Sequence, residues 1–334
     1  MNPKISIIIS NRNDISMLVV TIRSCIEELK PLGPGASEII ICDNSDPRIY
    51  KLLGSAIPAG YIREGLIRVY YQNFPCLFTA RETAIKHAKG DYTLCVDSHV
   101  IIGRDMILDL VNFMDSKKDD KTLGFAHAPV NWAHQHESAG RHDRDMSECE
   151  LGNWGTVHKS PRTITWKGMP WICRREWFLD EETGLGGYGA LSENKLSWGG
   201  GDMHIGIKPW LLGFRNWAVP TSPAIHIGPF PNIDQKKGNR NIVSVGQDKY
   251  RLWSKSGNGP HTIGFLVSCF ILGGEPMMER NKGVITEKFG QYLDVKKWWN
   301  KAKEYGKKEK QWLDNRKVMT FEQLLETKPW NLND

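Results

Sequence analysis

No apolar run in this sequence is long enough to cross a lipid bilayer. The longest, TIGFLVSCFIL at residues 262–272, falls far short of the roughly 20 residues that a membrane-spanning helix needs, so it predicts a buried helix. The first ten residues hold only a short apolar stretch, which argues against a secretory signal or a membrane anchor. We therefore expect a cytoplasmic chain with no membrane partner.

Cysteine pairs and the common phosphate-binding motifs are also missing. The seven cysteines are scattered without a Cys-x-x-Cys pair, which favours reduced thiols over a disulfide framework or a zinc site. No Gly-x-Gly-x-x-Gly follows the first apolar run, and no Gly-Lys-Ser/Thr loop occurs. A dinucleotide-dependent oxidoreductase and a P-loop kinase therefore have no supporting motif.

The first hundred residues instead alternate between strand and helix patterns. Apolar runs predict strands at 4–10, 38–42, 67–71 and 92–96, and helical spacing predicts helices at 15–29 and 79–89. This alternation indicates an α/β fold with a mostly parallel sheet flanked by helices. Ligands in such folds bind beyond the carboxyl ends of the strands, where Asp43 and the Asp97-Ser98-His99 group fall.

Asp97 and His99 have the spacing of a metal-binding pair at a strand end. Side chains at i and i+2 of a strand point the same way, so a carboxylate oxygen and an imidazole nitrogen can converge on one ion. A divalent ion such as Mn²⁺ accepts both ligands, and phosphate oxygens can complete its shell. The same residues also form turns, so the spacing alone leaves a turn and a metal site both open.

Longer segments resemble the family 2 glycosyltransferases with the GT-A fold. ISIIISNRND, EIIICDNSD and ARETAIKHAKGDYTLCVDSH are similar to the segments that open that domain and lead into its Asp-x-Asp metal motif. Asp-Ser-His in place of Asp-x-Asp resembles the polypeptide N-acetylgalactosaminyltransferases. WKGMPWICRREWF, WGGGDMHIGIKPWLLGF and VPTSPAIHIG extend the resemblance, in the family's order, over about residues 3–228.

The resemblance implies a domain organisation and an activity. It implies a GT-A nucleotide-diphospho-sugar transferase domain over residues 1–258, with a nucleotide-sugar half at 1–102 and an acceptor half with its lid at 103–258. A C-terminal helical, basic-aromatic extension follows at 259–334. The implied reaction moves a sugar, hexose or pentose, from a nucleoside diphosphate donor, UDP before others, to a hydroxyl acceptor, with Mn²⁺ or Mg²⁺ as cofactor.

The resemblance also assigns roles at the donor and metal sites. Asp43 would contact the uracil or ribose, and Asp97 the ribose or the metal. His99 and His226 would hold the ion against the diphosphate, whose charge the ion compensates. Arg81 falls near the same nucleotide pocket, with a surface helix charge as the alternative.

Asp202 is the candidate catalytic base. Inverting family members carry an acidic pair after a Gly-rich turn, and its second member takes the proton from the acceptor hydroxyl. Here the pair reads Gly201-Asp202, whereas the retaining N-acetylgalactosaminyltransferases carry Glu then Asn, so we expect inversion. Asp202 has a helix N-cap as its structural alternative. The missing first acid also motivates a rival: a catalytically inactive nucleotide-sugar or nucleic-acid binding module.

Other residues carry both a functional and a structural interpretation. They are Trp171 and Trp198; His204; Lys236, Lys237 and Arg240; and His134, His136 and His142. The two tryptophans fit a sugar platform or the core, and His204 fits an acceptor contact or a helix cap. The basic trio lies where family members carry a lid, or in a plain loop. The histidine trio fits a second metal site or a polar loop.

Residues 296–317 form a basic-aromatic segment. They hold nine lysines and arginines against three acids, interleaved with four aromatic residues, in a chain of net charge +6. Such a segment either binds phosphates and stacks bases or forms a solvated helix whose aromatics pack on the body. Some bacteriophage glycosyltransferases modify hydroxymethylated bases, so DNA is one candidate acceptor, which would mean a host cytoplasm. A cytoplasmic polymer or small glycoside is another candidate, and the sequence leaves the oligomeric state open.

Overall fold

The computed structural model describes residues 2–132, 140–141, 165–166, 169–227, 263–289 and 294–327. Its strands are β1 (Ile5–Asn11), β2 (Ser37–Asp43), β3 (Ile67–Tyr71), β4 (Tyr92–Asp97), β5 (Val100–Ile101), β6 (Leu123–His127), β7 (Val130–Trp132), β8 (Gly140–Arg141), β9 (Thr165–Trp166), β10 (Trp171–Arg174), β11 (Arg215–Ala218) and β12 (Ala224–His226). Its helices are α1 (Ile15–Leu29), α2 (Pro47–Ala56), α3 (Ala59–Arg63), α4 (Leu77–His87), α5 (Met106–Ser116), α6 (Arg175–Leu179), α7 (Ala190–Glu193), α8 (Gly201–Leu211), α9 (Ile263–Phe289), α10 (Val295–Asp314) and α11 (Phe321–Thr327).

A seven-stranded sheet forms the centre of the fold. Its order is β11-β6-β10-β4-β1-β2-β3, and only β10 runs antiparallel to its neighbours. Every residue of β1 is buried, as expected for a continuous β-branched run that is covered on both faces of a sheet. Helices α1 and α5 contribute to the core on one face, and α4, α8 and α9 contribute to the core on the other. The predicted α/β fold is confirmed.

The sequence-based elements of the first hundred residues agree with the structure, with two helices missed. Helix α1 and strand β3 have the predicted bounds, and the other predicted elements differ by one or two residues at an end. Helices α2 and α3 were not predicted. Both are short and begin beside a proline, Pro47 or Pro58, which favours a first helical turn but equally marks loops.

The C-terminal helices pack against the body. The predicted buried helix is the first part of α9, which is interrupted at Gly274, where φ is 67°, two residues before Pro276. On α10 the buried positions follow a helical period, and the four aromatic residues of the segment pack partly buried against the core. The alternative of a helix whose aromatics pack on the body is therefore the one that the structure shows.

The described cysteines are buried and form no disulfide with one another, in agreement with the predicted reduced thiols. They are Cys25, Cys42, Cys76, Cys95, Cys173 and Cys269. None of the helices in the described ranges combines the length and the apolarity of a membrane-spanning segment.

Gly264 of α9 makes the tightest backbone approach in this region. A Cβ at this position would overlap the carbonyl oxygen of Gly199, in the turn before α8. We expect Gly264→Ala to lower the free energy of unfolding by about 1–3 kcal/mol, because the two backbones must separate. Chemical denaturation measures the change. Gly283→Ala in the same helix is the control, since nothing lies within 4 Å of its Cβ, and equal losses in both variants would contradict this packing.

Candidate active site

Three side chains with metal-binding atoms converge beyond the end of β4. Asp97 is the last residue of β4, His99 follows in the turn, and His226 ends β12. Strand β12 pairs with β5 so that His226 lies opposite Val100, and the N–H of Ile227 donates to the carbonyl oxygen of His99 at 2.9 Å. This pairing brings the turn after β4 next to a segment that lies more than a hundred residues later in the chain.

The geometry of the three side chains suits a divalent ion. One donor atom from each of Asp97, His99 and His226 lies within 4.8 Å of the other two. The Nε2 atom of His226 is 3.6 Å from Oδ2 of Asp97, and the two imidazole rings meet edge to face with centroids 4.6 Å apart. One carboxylate and two imidazoles fit Mn²⁺, and a set of only three ligands leaves room for phosphate oxygens.

Arg81 fixes the other oxygen of Asp97. Its Nη2 donates to Oδ1 of Asp97 at 2.9 Å, and its Nη1 donates to the hydroxyl oxygen of Tyr188 at 3.0 Å. Burial alone would raise the pKa of Asp97, but the adjacent His226 imidazole and the charge of Arg81 hold this pKa well below its usual range. Arg81 is buried, so its alternative as a surface helix charge is wrong.

Asp202 lies in the first turn of α8, close to the same cluster. It follows the Gly199-Gly200 turn, where both residues have positive φ, at 100° and 74°. The N-cap of α8 is Gly200, so the N-cap alternative for Asp202 is wrong. Burial lowers the pKa of Arg81, but electrostatic interactions with Tyr188, Asp97 and Asp202 more than offset this and raise it overall. The half-buried Asp202 carboxylate is thus electrostatically coupled to the side chain that holds Asp97.

Asp43 lies beneath the surface where the sequence predicted a nucleotide contact. Its carboxylate accepts hydrogen bonds from Nδ2 of Asn11 at 2.5 Å and from the backbone N–H of Ser45 at 2.9 Å, and its side chain is fully buried. The carboxylate thereby ties together the ends of β1 and β2. This position is at odds with a direct contact between Asp43 and the uracil or ribose.

Two of the candidate acceptor residues are buried in the protein. Trp171 is fully buried between Phe125 and Phe178, with ring centroids 4.9 and 5.7 Å away, so the platform interpretation of Trp171 is wrong and the core interpretation holds. His204 is also fully buried, and its Nε2 is 3.0 Å from Glu309, which excludes both an acceptor contact and a helix cap. These side chains stabilise the fold because their surroundings are packed protein.

The remaining candidates are only partly described. Trp198 is half-buried and meets Phe265 edge to face at 5.6 Å, so one part of its ring packs and another is exposed. The candidate lid residues Lys236, Lys237 and Arg240 and the histidines His134, His136 and His142 lie outside the described residues.

The structure adds two site residues that the sequence analysis missed. Tyr188 accepts the hydrogen bond from Arg81, and Asp14 places a carboxylate oxygen 3.8 Å from Nδ1 of His99. A carboxylate beside a ligating histidine orients the ring and selects its tautomer. The sequence held one signal for each: Asp14 lies in the polar NRND segment after β1, and Tyr188 in the glycine-rich GLGGYG segment.

Comparison with known proteins agrees with this fold. Residues 6–151 match the family model described as Glycosyl transferase family 2. No curated protein matches the chain in sequence. The structure of GalNAc-T7 with UDP, GalNAc and Mn²⁺ has a TM-score of 0.62 and 20% identity, over 97% of this chain and 57% of that one. Staphylococcus aureus TarS has a TM-score of 0.52 and 13% identity, over 98% of this chain and 52% of that one.

This chain thus spans a little over half the length of both solved structures. At these identities the similarity concerns the fold, while the family model rests on the sequence of residues 6–151. The solved structures agree with the mainly parallel sheet described above. Residues 6–151 therefore match the family 2 glycosyltransferase model, and the fold of the chain is that of these solved glycosyltransferase structures.

Proposed function

We propose that this chain is a metal-dependent glycosyltransferase that moves a sugar from a nucleoside diphosphate donor to a hydroxyl acceptor. UDP is the nucleotide that we favour for the donor. The observation that carries the proposal is the convergence of Asp97, His99 and His226 at the carboxyl edge of the sheet. Ligands of α/β sheets bind at this edge. The family 2 domain gives that edge its expected substrate, a nucleotide sugar.

The three convergent residues would hold Mn²⁺ or Mg²⁺ at the donor diphosphate. When bound, the ion compensates the charge that develops on the departing diphosphate, which is worth several kcal/mol of transition-state stabilisation. Arg81 keeps Oδ1 of Asp97 occupied, so that Oδ2 is the oxygen that faces His226. The carboxylate of Asp14 lies 3.8 Å from Nδ1 of His99, where its charge would favour a protonated nitrogen on that side of the ring.

Asp202 is the proposed general base. A base must accept the proton of the acceptor hydroxyl as that oxygen attacks the sugar, so it must be ionised and reachable. Asp202 is half-buried at the start of α8, unlike the fully buried His204 two residues later. With Asp202 as base and no second acid at Gly201, we propose a single displacement that inverts the anomeric configuration.

For the acceptor, we propose DNA with hydroxymethylated bases. Its support is the exposed lysine face of α10, which includes Lys296, Lys297, Lys307 and Lys308. The aromatic residues of this helix pack against the core, so phosphate contacts rather than base stacking would dominate there. Duplex binding that weakens steeply with salt would support this acceptor, and binding that is absent or indifferent to salt would favour a polymer or a small glycoside.

Removal of the metal tests the proposed activity. We expect the full chain with Mn²⁺ to release nucleoside diphosphate from one donor of a panel of nucleotide sugars, because the ion compensates the leaving group. EDTA should abolish the release, and excess Mn²⁺ should restore it. The measurement is a coupled assay for nucleoside diphosphate, with and without hydroxymethylcytosine-containing DNA as acceptor.

The rival function predicts a different outcome of the same assay. A catalytically inactive binding module would retain Mn²⁺ and a nucleotide sugar in a binding measurement and yet release nothing from any donor. Metal-independent release would contradict the proposed role of Asp97, His99 and His226.

A further inference from the structure

A buried carboxylate connects the C-terminal helices to the helix that carries Asp202. Glu309 lies on α10 and is 7% exposed. Its Oε1 accepts a hydrogen bond from Nζ of Lys208 at 2.5 Å and lies 3.0 Å from Nε2 of His204. Its Oε2 accepts from the backbone N–H of Ala190 at 2.6 Å. One side chain thus contacts two turns of α8 and the start of α7.

The partners of Glu309 surround its carboxylate with hydrogen-bond donors. His204 and Lys208 are four residues apart, so they lie one above the other on the same face of α8. Lys208 also donates to the carbonyl oxygen of Gly187 at 3.2 Å. Burial would raise the pKa of Glu309, but Lys208 and His204 lower it to about 2, so the group is a carboxylate at neutral pH. A buried charge with this many partners resists any displacement of α8 relative to α10.

Helix α9 holds the turn at the start of α8. The hydroxyl of Ser268 donates to the carbonyl oxygen of Gly200 at 3.2 Å. A Cβ at Gly200 would lie 2.6 Å from the carbonyl oxygen of Gly264, so the backbones of the turn and of α9 are in direct contact. On the other side, a Cβ at Gly201 would lie 2.5 Å from the ring of Phe78. The residue before Asp202 is therefore enclosed by α4, and the turn before it by α9.

We infer that the C-terminal helices α9 and α10 position the turn that carries Asp202, with Glu309 as the positioning residue. The helices of the proposed extension at 259–334 are then a structural part of the catalytic unit. Glu309 acts through the position of α8 and does not touch the substrate. The functional half of this inference rests on the proposed role of Asp202 as base, whereas the structural half does not.

The test compares two Glu→Gln variants of the same helix in the full chain. Glu309→Gln keeps the shape of the side chain and removes its charge. We expect it to lower kcat by about 10- to 100-fold, since displacements near 1 Å at a reacting group have effects of this size. The KM for the donor and the Mn²⁺ affinity should stay near wild type, because Asp97, His99 and His226 lie on other elements.

Glu304→Gln is the matched control. Glu304 is exposed on α10, where its carboxylate pairs with Lys301 at 2.8 Å, so kcat should not change. A folded Glu309→Gln protein with wild-type kcat would overturn the inference. Parallel losses in kcat, donor affinity and Mn²⁺ affinity would also overturn it, because they would indicate general loosening of the fold.

Hydrogen exchange provides a measurement that does not depend on activity. In Glu309→Gln the amides of residues 198–204 should exchange at least about 10-fold faster, while those of β4 should stay protected. If the protein releases nucleoside diphosphate from no donor, the proposed function fails, and this exchange result still tests the positioning. Unchanged exchange at 198–204 would overturn the inference whatever the activity.

A second variant covers the case in which Glu309→Gln does not fold. Ser268→Ala removes only the hydroxyl that donates to Gly200, and it leaves the ion network intact. We expect a severalfold loss in kcat and faster exchange at 198–204, with circular dichroism and the unfolding midpoint close to wild type. Wild-type kcat together with wild-type exchange in Ser268→Ala would overturn the role of α9.

Discussion

Asp202→Asn is expected to lower kcat for sugar transfer by about 10²–10⁴-fold, the usual contribution of a positioned general base. The amide of Asn has almost the same shape as the carboxylate but accepts no proton. Asp202 is not among the three convergent metal-site residues, so the KM for the donor and the Mn²⁺ affinity should change little. Steady-state kinetics with saturating donor and metal measure the effect. Asp119→Asn, at an exposed position, is the control and should keep wild-type activity.

The anomeric configuration of the product gives an independent check on this base. Inversion, observed by proton NMR of the glycosylated acceptor, agrees with a single displacement assisted by Asp202. Retention together with wild-type kcat in Asp202→Asn would contradict the proposed role and would indicate that Asp202 has a structural role.

His226→Ala is expected to weaken Mn²⁺ binding by at least about 100-fold. Loss of a residue that only orients a ligand costs about 10- to 100-fold in metal affinity, and loss of a ligand should cost at least as much. His226 lies at the end of β12 and borders the oxygen of Asp97 that Arg81 leaves open. Calorimetric titration of Mn²⁺ in the presence of UDP measures the change, and transferase activity should fall with it.

The control for the metal site is a histidine elsewhere in the fold. His87 ends α4, is exposed, and stacks on Tyr70 with ring centroids 3.9 Å apart. His87→Ala should leave the Mn²⁺ affinity unchanged. Equal affinities in His226→Ala and the wild-type protein would show that β12 contributes no ligand, which would remove the observation on which the proposed function rests.

The local parts of the fold could be predicted because short-range patterns determine them. The apolar run of β1 and the helical spacing of α1 need no information from distant residues, and both elements appear where predicted. Asp97 and His99 were also accessible, since their spacing of two residues is a local property of a strand end. His226 was assigned only through the resemblance to a family, because the pairing of β12 with β5 has no local signal.

The errors concern residues whose roles depend on packing partners. Trp171 and His204 have side chains that suit a binding site, and only the surrounding rings or Glu309 reveal that both are buried. Asp43 follows a strand as predicted, yet Asn11 and Ser45 turn its carboxylate inward. A sequence shows which chemistry a side chain offers, whereas exposure is decided by contacts between segments far apart in the chain.

The pairing of β12 with β5 has a thermodynamic consequence for the whole molecule. Because the donor atoms of Asp97 and His226 come from strands more than a hundred residues apart, an unfolded chain cannot offer them together. The proposed ion would therefore bind the native state alone, and mass action would then add its binding free energy to the stability of the folded chain. The folded chain would thus resist unfolding more strongly when the proposed metal and nucleotide are abundant, and its lifetime would follow the supply of the proposed substrate.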